Sequence, residues 1–424
     1  MEEVLLHRLC SKLVLSELQC SRALPIDIRF VSGEGRVPRK QELTPGSQTA
    51  LRHANQNRVI ETVRASGPLT QAEIARATGL SPATVSNVVR TLREQGQVSV
   101  EHTSCRGRRA RAVTLRRAAG AMLAVEFGVD YLEGILVDHG ERVVANERII
   151  YDVAAGPERG LRRAVWLVET LLGQARLNRW AITRAVAAFP GPLDPQTGEV
   201  GASCLMPRWC GTRPAVELSQ RLNISVLAEN EANLGAVGEY HEGAASGRGT
   251  VVYLHLGHGI GAGILLNGEL LRGVGGTAGE IGHIALDERG QVCRCGNRGC
   301  LETLAGTPYL LGMLPPHADG EQPQTLSGVI AAARAHEPRA RRILAEAGTA
   351  LGRGTAMLVN LVNPELVVVG GPLATAGELL LTPMRQGLEL AALPSAQNRV
   401  EIVPGALGAQ AILRGALRHV LVSP

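Results

Sequence analysis

His283 is followed by three cysteines in the run Cys293-Arg294-Cys295-Gly296-Asn297-Arg298-Gly299-Cys300. Three thiolates and one imidazole make a full tetrahedral set for Zn²⁺, and a set with no open position suits a structural ion rather than a catalytic one. Gly296 and Gly299 allow the tight turns that such close ligand spacing requires. A second group has the chemistry of a base-reading surface. Ser81, Thr84, Ser86, Asn87 and Arg90 fall on one side of a stretch with helical spacing. Asn pairs bidentately with adenine and Arg with guanine, so this face suits the major groove of duplex DNA. Arg106, Arg108, Arg109 and Arg111 then crowd a single turn, a spacing suited to phosphates or a narrow minor groove.

The elements needed to present these residues can be read around them. Residues 57–66 carry a helical apolar stripe in Val59, Ile60 and Val63. Thr70 and Glu73 predict a capping box for a helix over Gln71–Thr78, which Gly79 stops. Ser81-Pro82 supplies an N-cap and a first-position proline for the next helix, whose buried stripe is Val85, Val88, Val89 and Leu92. Residues 98–102 and 110–115 read as two strands around a turn at 104–107. Three helices and a hairpin predict a winged helix-turn-helix.

From residue 121 onward apolar strands alternate with helices. Strands are predicted over 122–127, 135–138, 142–149 and 185–189, with a helix over 160–175. A second round has strands over 250–256, 262–266, 366–369 and 400–403, and a closing helix over 409–421. Two strand-rich starts, each followed by helices, predict an α/β body of two related lobes with its ligand between them. The expected division is a leader over 1–50, a winged helix-turn-helix domain over 51–117 and a first lobe over 118–235 completed by a helix over 405–424. A second lobe over 236–404 holds the metal site. Two readings of the leader stay open: it is disordered, since residues 33–46 are polar and interrupted by Pro38 and Pro45, or the true start lies later in the reading frame.

Charge follows the same division. The 424-residue chain has a formal charge of only +5. Residues 51–117 hold 12 Arg against 4 Glu, a net +8, whereas residues 118–424 hold 25 Arg against 29 acidic residues, a net −4. A basic module on a faintly acidic body points to an acidic polymer as the partner of one part only. Aromatic residues make up 3% of the chain, too few for base-stacking recognition of single strands, so double-stranded DNA is the expected partner. The uncharged stretch 250–268 is broken by Gly257, Gly259, Gly261 and Gly263 and reads as strand–turn–strand, not as a membrane span. Glu2, Glu3, Lys12 and Glu17 leave no signal-peptide core, and 8 Cys in so long a chain do not suggest a disulfide framework. A reducing cytoplasm is the expected location, with no membrane partner.

Gly279-Glu280-Ile281-Gly282-His283, the cysteine run and Glu302 together resemble the signature of the ROK (repressor, open reading frame, kinase) family of sugar kinases and sugar-responsive repressors. The resemblance extends from about residue 44 to the C-terminus. Pro190-Gly191-Pro192-Leu193-Asp194 is similar to the family's sugar-loop segment, and Glu229-Asn230-Glu231-Ala232-Asn233 to its catalytic segment. Gly257-His258-Gly259-Ile260-Gly261-Ala262-Gly263 resembles its second phosphate loop, and Val369-Gly370-Gly371 its nucleoside-side loop. A winged helix before the body is similar to the family's N-acetylglucosamine- and xylose-responsive repressors. The resemblance implies a two-lobed actin-like, ribonuclease-H-like α/β body. It implies sugar contacts from Gly191, Asn230, Glu231, Glu280, His283 and Glu302, and structural zinc on His283, Cys293, Cys295 and Cys300. His283 would ligate the metal through one ring nitrogen and face the sugar with the other.

Two departures bear on catalysis. The family's kinases open their first phosphate loop with D-x-G-G-T-K, and the matching stretch here is Glu126-Phe127-Gly128-Val129-Asp130-Tyr131. Val129 is expected to obstruct close backbone approach. Asp130 sets a negative charge beside phosphates, where unit charges about 4–5 Å apart repel by roughly 3–4 kcal/mol. Glu231 stands at the family's catalytic-base position in place of Asp, and a carboxylate misplaced by about 1 Å costs on the order of a hundredfold in rate. Both changes spare sugar binding and damage phosphoryl transfer. The expected function is therefore a sugar-responsive DNA-binding regulator with no catalytic residue, a repressor of carbohydrate uptake or metabolism genes. It is expected to act on operator DNA as a homodimer or a dimer of dimers. The alternative is an ATP-dependent, glucokinase-like sugar kinase with a regulatory DNA-binding head, which the glycines of 257–263 favour. A zinc sensor is a third reading, and a closed ligand set argues against it.

Overall fold

The structure, a computed structural model, describes residues 55–422 except 57, 61, 64–65, 95–97, 106–107, 116–120, 139, 178–181, 203–204 and 314–324. The predicted leader over 1–50 and Arg106 lie outside the described residues.

Between 71 and 115 the chain folds around an aliphatic cluster. The helix Gln71–Thr78 is opened by Thr70, whose hydroxyl accepts from Glu73 N at 3.3 Å while the Glu73 carboxylate accepts from Thr70 N at 2.8 Å. That reciprocal pair is the capping box, and Gly79 ends the helix in the left-handed region at φ 69°. The helix Pro82–Glu94 turns Val85, Val88, Val89 and Leu92 inward onto Val59, Val63 and Ile74. Strand β1 (Leu69–Thr70) pairs with β3 (Arg108–Leu115), which pairs with β2 (Val98–Cys105), giving a three-stranded antiparallel sheet in the order β1-β3-β2. The strands of the hairpin are longer than the spacing predicts, because the register runs from Val98↔Leu115 to Cys105↔Arg108 and leaves only 106–107 between them.

The remainder contains two five-stranded sheets built on one plan. In the first, β4 (Ala121–Phe127), β5 (Tyr131–Asp138) and β6 (Val143–Ile150) form an antiparallel meander. Strands β7 (Ile182–Phe189) and β8 (Val226–Asn230) then add in parallel, giving the order β6-β5-β4-β7-β8. The second repeats this with β9 (Val251–Leu256), β10 (Ile260–Leu266), β11 (Glu269–Leu270), β12 (Leu366–Gly370) and β13 (Glu401–Pro404), in the order β11-β10-β9-β12-β13. This duplicated meander-plus-parallel sheet is the actin-like, ribonuclease-H-like architecture. The interior strands β4 and β12 are buried at every residue, as near-continuous apolar runs covered on both faces should be. Glu126 is the one carboxylate inside β4, at 2% exposure.

The helix Glu231–Glu242 follows β8 and joins the two halves. Leu234 packs into the cluster of the first sheet with Ile412, Leu413 and Ala416 of the closing helix Ala411–Val422. Ala236 and Tyr240 pack instead with Val251, Tyr253 and Val368 of the second sheet. The long helix Pro338–Val362 and the helix Glu378–Glu389 cover the other face of that sheet. Among the described residues no helix is long and apolar enough to cross a membrane.

Candidate metal centre and ligand cleft

His283 closes a single 3-10 turn, Ile281–His283, and the cysteines follow on a tight loop. Gly296 and Gly299 sit at φ 89° and 64°, backbone that side chains beyond glycine rarely adopt. One ligand atom from each of His283, Cys293, Cys295 and Cys300 lies within 4.8 Å of every other. His283 Nδ1 is 3.6 Å from Cys293 Sγ, and Cys295 Sγ is 3.6 Å from Cys300 Sγ. Bonds of about 2.3 Å to sulfur and 2.1 Å to nitrogen give tetrahedral edges of about 3.6–3.8 Å, so the donor set fits Zn²⁺. The other ring nitrogen, Nε2, stands 3.9 Å from the Glu280 carboxylate.

All six residues expected to meet a sugar line one cleft. Gly191 lies just past β7, Asn230 ends β8, and Glu231 opens the following helix. Glu280 precedes the 3-10 turn, His283 ends it, and Glu302 opens the short helix Glu302–Ala305. Leu205, Ile260 and Pro192 supply apolar wall. Two of the polar residues are partly committed to the fold. Asn230 Oδ1 caps the helix by accepting from Ala232 N at 2.8 Å and Asn233 N at 3.2 Å, while its Nδ2 donates to Gly191 O at 3.1 Å. Glu302 accepts from Arg294 Nε at 2.8 Å and from Ile260 N at 3.3 Å.

Carboxyls line the cleft at Glu231, Glu280 and Glu302, and Glu126 lies beside Glu231. Burial pushes the Glu126 carboxyl up to about 7, against the lowering effect of the Tyr131 hydroxyl that donates to it. Glu231 is held well above the usual carboxylate range by burial and then by the charges of Glu126 and Glu280. Burial and the charge of Glu302 push Glu280 up to about 7. His255, whose Nε2 is 3.7 Å from Glu231, is kept neutral by burial with a pKa of about 4.

At the first phosphate-loop position the obstruction differs from the one expected. Val129 packs onto the core of the first sheet, so its side chain turns away. Tyr131 fills the space instead. Its ring lies over Gly128, its hydroxyl reaches Glu126, and the Arg148 guanidinium carbon sits 3.5 Å from its ring centre. Sequence reasoning missed Arg148, Arg294 and His255. Only Arg294 carried a signal, by lying between two ligand cysteines.

On the helix Pro82–Glu94, Ser81, Ser86, Asn87 and Arg90 are exposed, and Arg90 donates to Asn87 Oδ1 at 3.1 Å. Thr84 is half-buried, with its hydroxyl 2.8 Å from that of Ser81, so it faces outward less than its spacing suggests. Arg108, Arg109 and Arg111 lie on β3, paired in register with Cys105, Ser104 and His102, and Arg111 is exposed.

Comparison with known proteins agrees with this architecture. Residues 122–422 match the ROK family and residues 53–109 match the MarR family. A xylose repressor of Caldicellulosiruptor bescii is 29% identical over 391 residues, covering 89% of this chain and 97% of that protein. The crystal structure of a ROK family transcriptional regulator, a homologue of the Escherichia coli MLC protein, is 25% identical with a TM-score of 0.71, over 87% of this chain and 95% of that one. A ROK family glucokinase from Streptomyces griseus, solved with glucose and AMPPNP, is 25% identical with a TM-score of 0.64, over 72% of this chain and 100% of that one. This chain therefore belongs to the ROK family and carries a MarR-type winged helix ahead of the family body.

Proposed function

We propose that this protein is a sugar-responsive transcriptional regulator of the cytoplasm that represses carbohydrate uptake or metabolism genes and has no kinase activity. The observation that carries the reading is a single chain with two features. It has an exposed Ser86-Asn87-Arg90 face on a winged helix, and a cleft lined by Gly191, Asn230, Glu231, Glu280, His283 and Glu302. Its division into a head over 51–117, a first lobe over 118–235 completed by 405–424, and a second lobe over 236–404 belongs to the same proposal. Ser81, Thr84, Ser86, Asn87, Arg90 and the wing arginines Arg106, Arg108, Arg109 and Arg111 contact operator duplex. Zinc on His283, Cys293, Cys295 and Cys300 is structural when bound, fixing the imidazole that faces the sugar.

Closure of the two lobes around a sugar changes the setting of the heads in a homodimer or dimer of dimers, and so the operator affinity. Tyr131 over Gly128 supports the absence of phosphoryl transfer. The test is binding of the chain to its own upstream DNA, measured by fluorescence anisotropy with and without glucose, N-acetylglucosamine, mannose and xylose. A coupled ATP-consumption assay runs on the same sugars. Sugar-dependent DNA release without ATP turnover is expected, whereas ATP turnover with any of these sugars, with DNA binding unaffected by them, would establish the glucokinase-like alternative. Reciprocity requires operator DNA to change sugar affinity by the same factor, which calorimetry reads directly.

A further inference from the structure

We infer that Arg418 is the positioning residue that passes the sugar response from the cleft to the DNA-binding head. It links the helix that holds Glu231 to the turn beside which the head is attached. The inference rests on the reading of this chain as a sugar-responsive regulator and names the coupling element of that response.

The helix Glu231–Glu242 has one end in the cleft, where Asn230 caps it and Glu231 opens it. Its 12 residues set the other end, at Glu242, about 18 Å away. The closing helix Ala411–Val422 is held against it backbone to backbone. A Cβ on Gly238 would strike the Ala411 carbonyl, and one on Gly415 would strike the Leu234 carbonyl. Fully buried Glu239 accepts from Ala406 N at 3.0 Å and Leu407 N at 2.9 Å, which pins the approach to the closing helix as well. Packing this close transmits displacement, so the two helices move as one unit.

At the far end Arg418 of the closing helix ties this unit to the first sheet. Its Nε donates to Glu242, and its two terminal nitrogens donate to the two oxygens of Glu141 at 2.9 and 2.7 Å. Such a forked guanidinium–carboxylate pair is directional, and here all three side chains are mostly buried. Glu141 lies in the turn between β5 and β6, which is itself braced: Asp138 Oδ1 accepts from Gly140 N at 2.9 Å and from Arg142 N at 3.0 Å. Asp138 pairs in register with Ala121, the first residue of β4. Residues 116–120 are all that separate Ala121 from Leu115, the end of the wing strand β3. The head therefore joins the body beside the turn that Arg418 grips.

Elsewhere the closing helix meets the first sheet through aliphatic side chains, with Leu413, Ala416 and Leu417 clustered with Met122, Ala124 and Ala188. A layer of this kind permits small sliding of packed elements. A sugar hydroxyl bonded to Glu231 draws the helix pair along that layer, and the Arg418 fork turns the slide into a displacement of the turn and of Ala121. The chain of contacts from cleft to head is continuous.

The experiment measures operator affinity of the full zinc-loaded chain by anisotropy, with and without glucose, N-acetylglucosamine, mannose and xylose, and sugar affinity by calorimetry. At least one sugar should change wild-type operator affinity by about fivefold or more, the lower end of ordinary coupling. In Arg418→Ala that factor should fall below about twofold, while sugar affinity and sugar-free operator affinity each stay within about twofold of wild type, as for distant sites. Glu141→Gln cuts the same link from the first sheet and should do likewise, so the inference stays testable if Arg418→Ala fails to fold. Arg414→Ala, which removes only a 3.5 Å contact to Glu242, should keep the full factor. Wild-type coupling in Arg418→Ala or Glu141→Gln overturns the inference. So does loss of sugar binding or of sugar-free operator binding in Glu141→Gln, which would make the fork a support and not a link. Loss of coupling in Arg414→Ala would move the role to the helix pair as a whole and overturn its assignment to Arg418. A wild type whose operator affinity responds to none of the four sugars overturns the sugar-responsive reading itself, and this inference with it.

Discussion

The turn between β4 and β5 and the turn between β9 and β10 occupy equivalent places in the two sheets, yet they have opposite character. In the first, Tyr131 folds back over Gly128, reaches Glu126 with its hydroxyl and lies under Arg148. In the second, no side chain folds back as Tyr131 does; Gly257 N donates to Gly259 O at 2.9 Å and the Gly257 carbonyl accepts from Thr307 Oγ1 at 2.8 Å. Of the glycines that follow, Gly263 has a packing reason to persist. A Cβ on Gly263 would strike the Ala232 carbonyl, whereas one on Gly261 would make only an ordinary contact of 3.4 Å with Ala232 Cβ. Gly263, in β10, is therefore explained by the close approach of the helix Glu231–Glu242. It is no argument by itself for phosphate binding, whereas loss of a glycine-lined opening in the first turn is an argument against it.

The largest expected effect comes from undermining the second turn through the metal loop beside it. Cys300 is fully buried and supplies one of the four ligand atoms. A structural zinc contributes about 10–16 kcal/mol in isolated peptides, and even a fraction of that exceeds any single side-chain term here. Cys300→Ala should abolish stoichiometric zinc, measured by elemental analysis, and with it sugar binding measured by calorimetry, because Glu302 and His283 lose their anchor. Native sugar affinity in a zinc-free variant would sink the structural role.

Next comes the buried acid of the first turn. The Glu126 carboxyl lies at about 7 in the folded chain against 4.5 when free. The folded state binds its proton more tightly, so the associated stability is fully present below pH 4.5 and is lost as pH rises through about 7. A shift of this size corresponds to on the order of 3 kcal/mol. Urea denaturation of wild type and Glu126→Gln at pH 5 and pH 8 should show the variant gaining relative to wild type at the higher pH. Equal pH dependence in the two proteins would contradict the buried-acid account.

The sequence shows the two turns unequally, and the reason is physical. Local, periodic features were readable: the Thr70–Glu73 capping box, the Val85-Val88-Val89-Leu92 stripe and the closing helix all depend on neighbours within a few residues. The four metal ligands stood out because rare residue types recur at ligand spacing. Strand β8 gave no such signal, since Val226-Leu227-Ala228-Glu229-Asn230 neither alternates nor runs apolar to its end. Strand β1 is two residues long and exists only because β3 passes beside it. Contacts that decide the character of the first turn are of the same kind. Arg148 reaches Tyr131 through the β5–β6 pairing, and Arg294 reaches Glu302 through the folded metal loop. Neither pairing has a spacing rule in one dimension, so Val129 rather than Tyr131 was the residue expected to obstruct.

A matched pair of substitutions separates the turns at a finer level. Gly263→Ala sets a methyl against the backbone carbonyl of Ala232, which cannot move without shifting the helix. Overpacking of that kind costs about 1–3 kcal/mol. At Gly128 the obstacle is the Tyr131 ring, a side chain with rotamers to choose from, so Gly128→Ala should cost less, about 1 kcal/mol. Chemical denaturation gives both numbers. The reverse order would mean that the first turn, and not the second, is where the backbone is committed.

The smallest effect on the native properties is expected from rebuilding the first turn toward the kinase pattern with Val129→Gly, Asp130→Thr and Tyr131→Lys together. None of the three lines the cleft, so sugar affinity should stay within about twofold of wild type, well under the roughly 1 kcal/mol that matters in such comparisons. What changes is the entrance for phosphate. Removing the tyrosine ring and the Asp130 charge, and adding a lysine, should allow ATP to bind more tightly than to wild type, as calorimetry measures. Turnover should still be absent, because Glu231 keeps its extra methylene and a carboxylate displaced by about 1 Å costs on the order of a hundredfold in rate. Adding Glu231→Asp to the three is then the step at which ATP consumption should first rise above background. Turnover already present in the threefold variant would show that the blocked first turn alone separates this chain from a kinase. Failure of ATP to bind in any variant would place the obstruction outside the turn altogether.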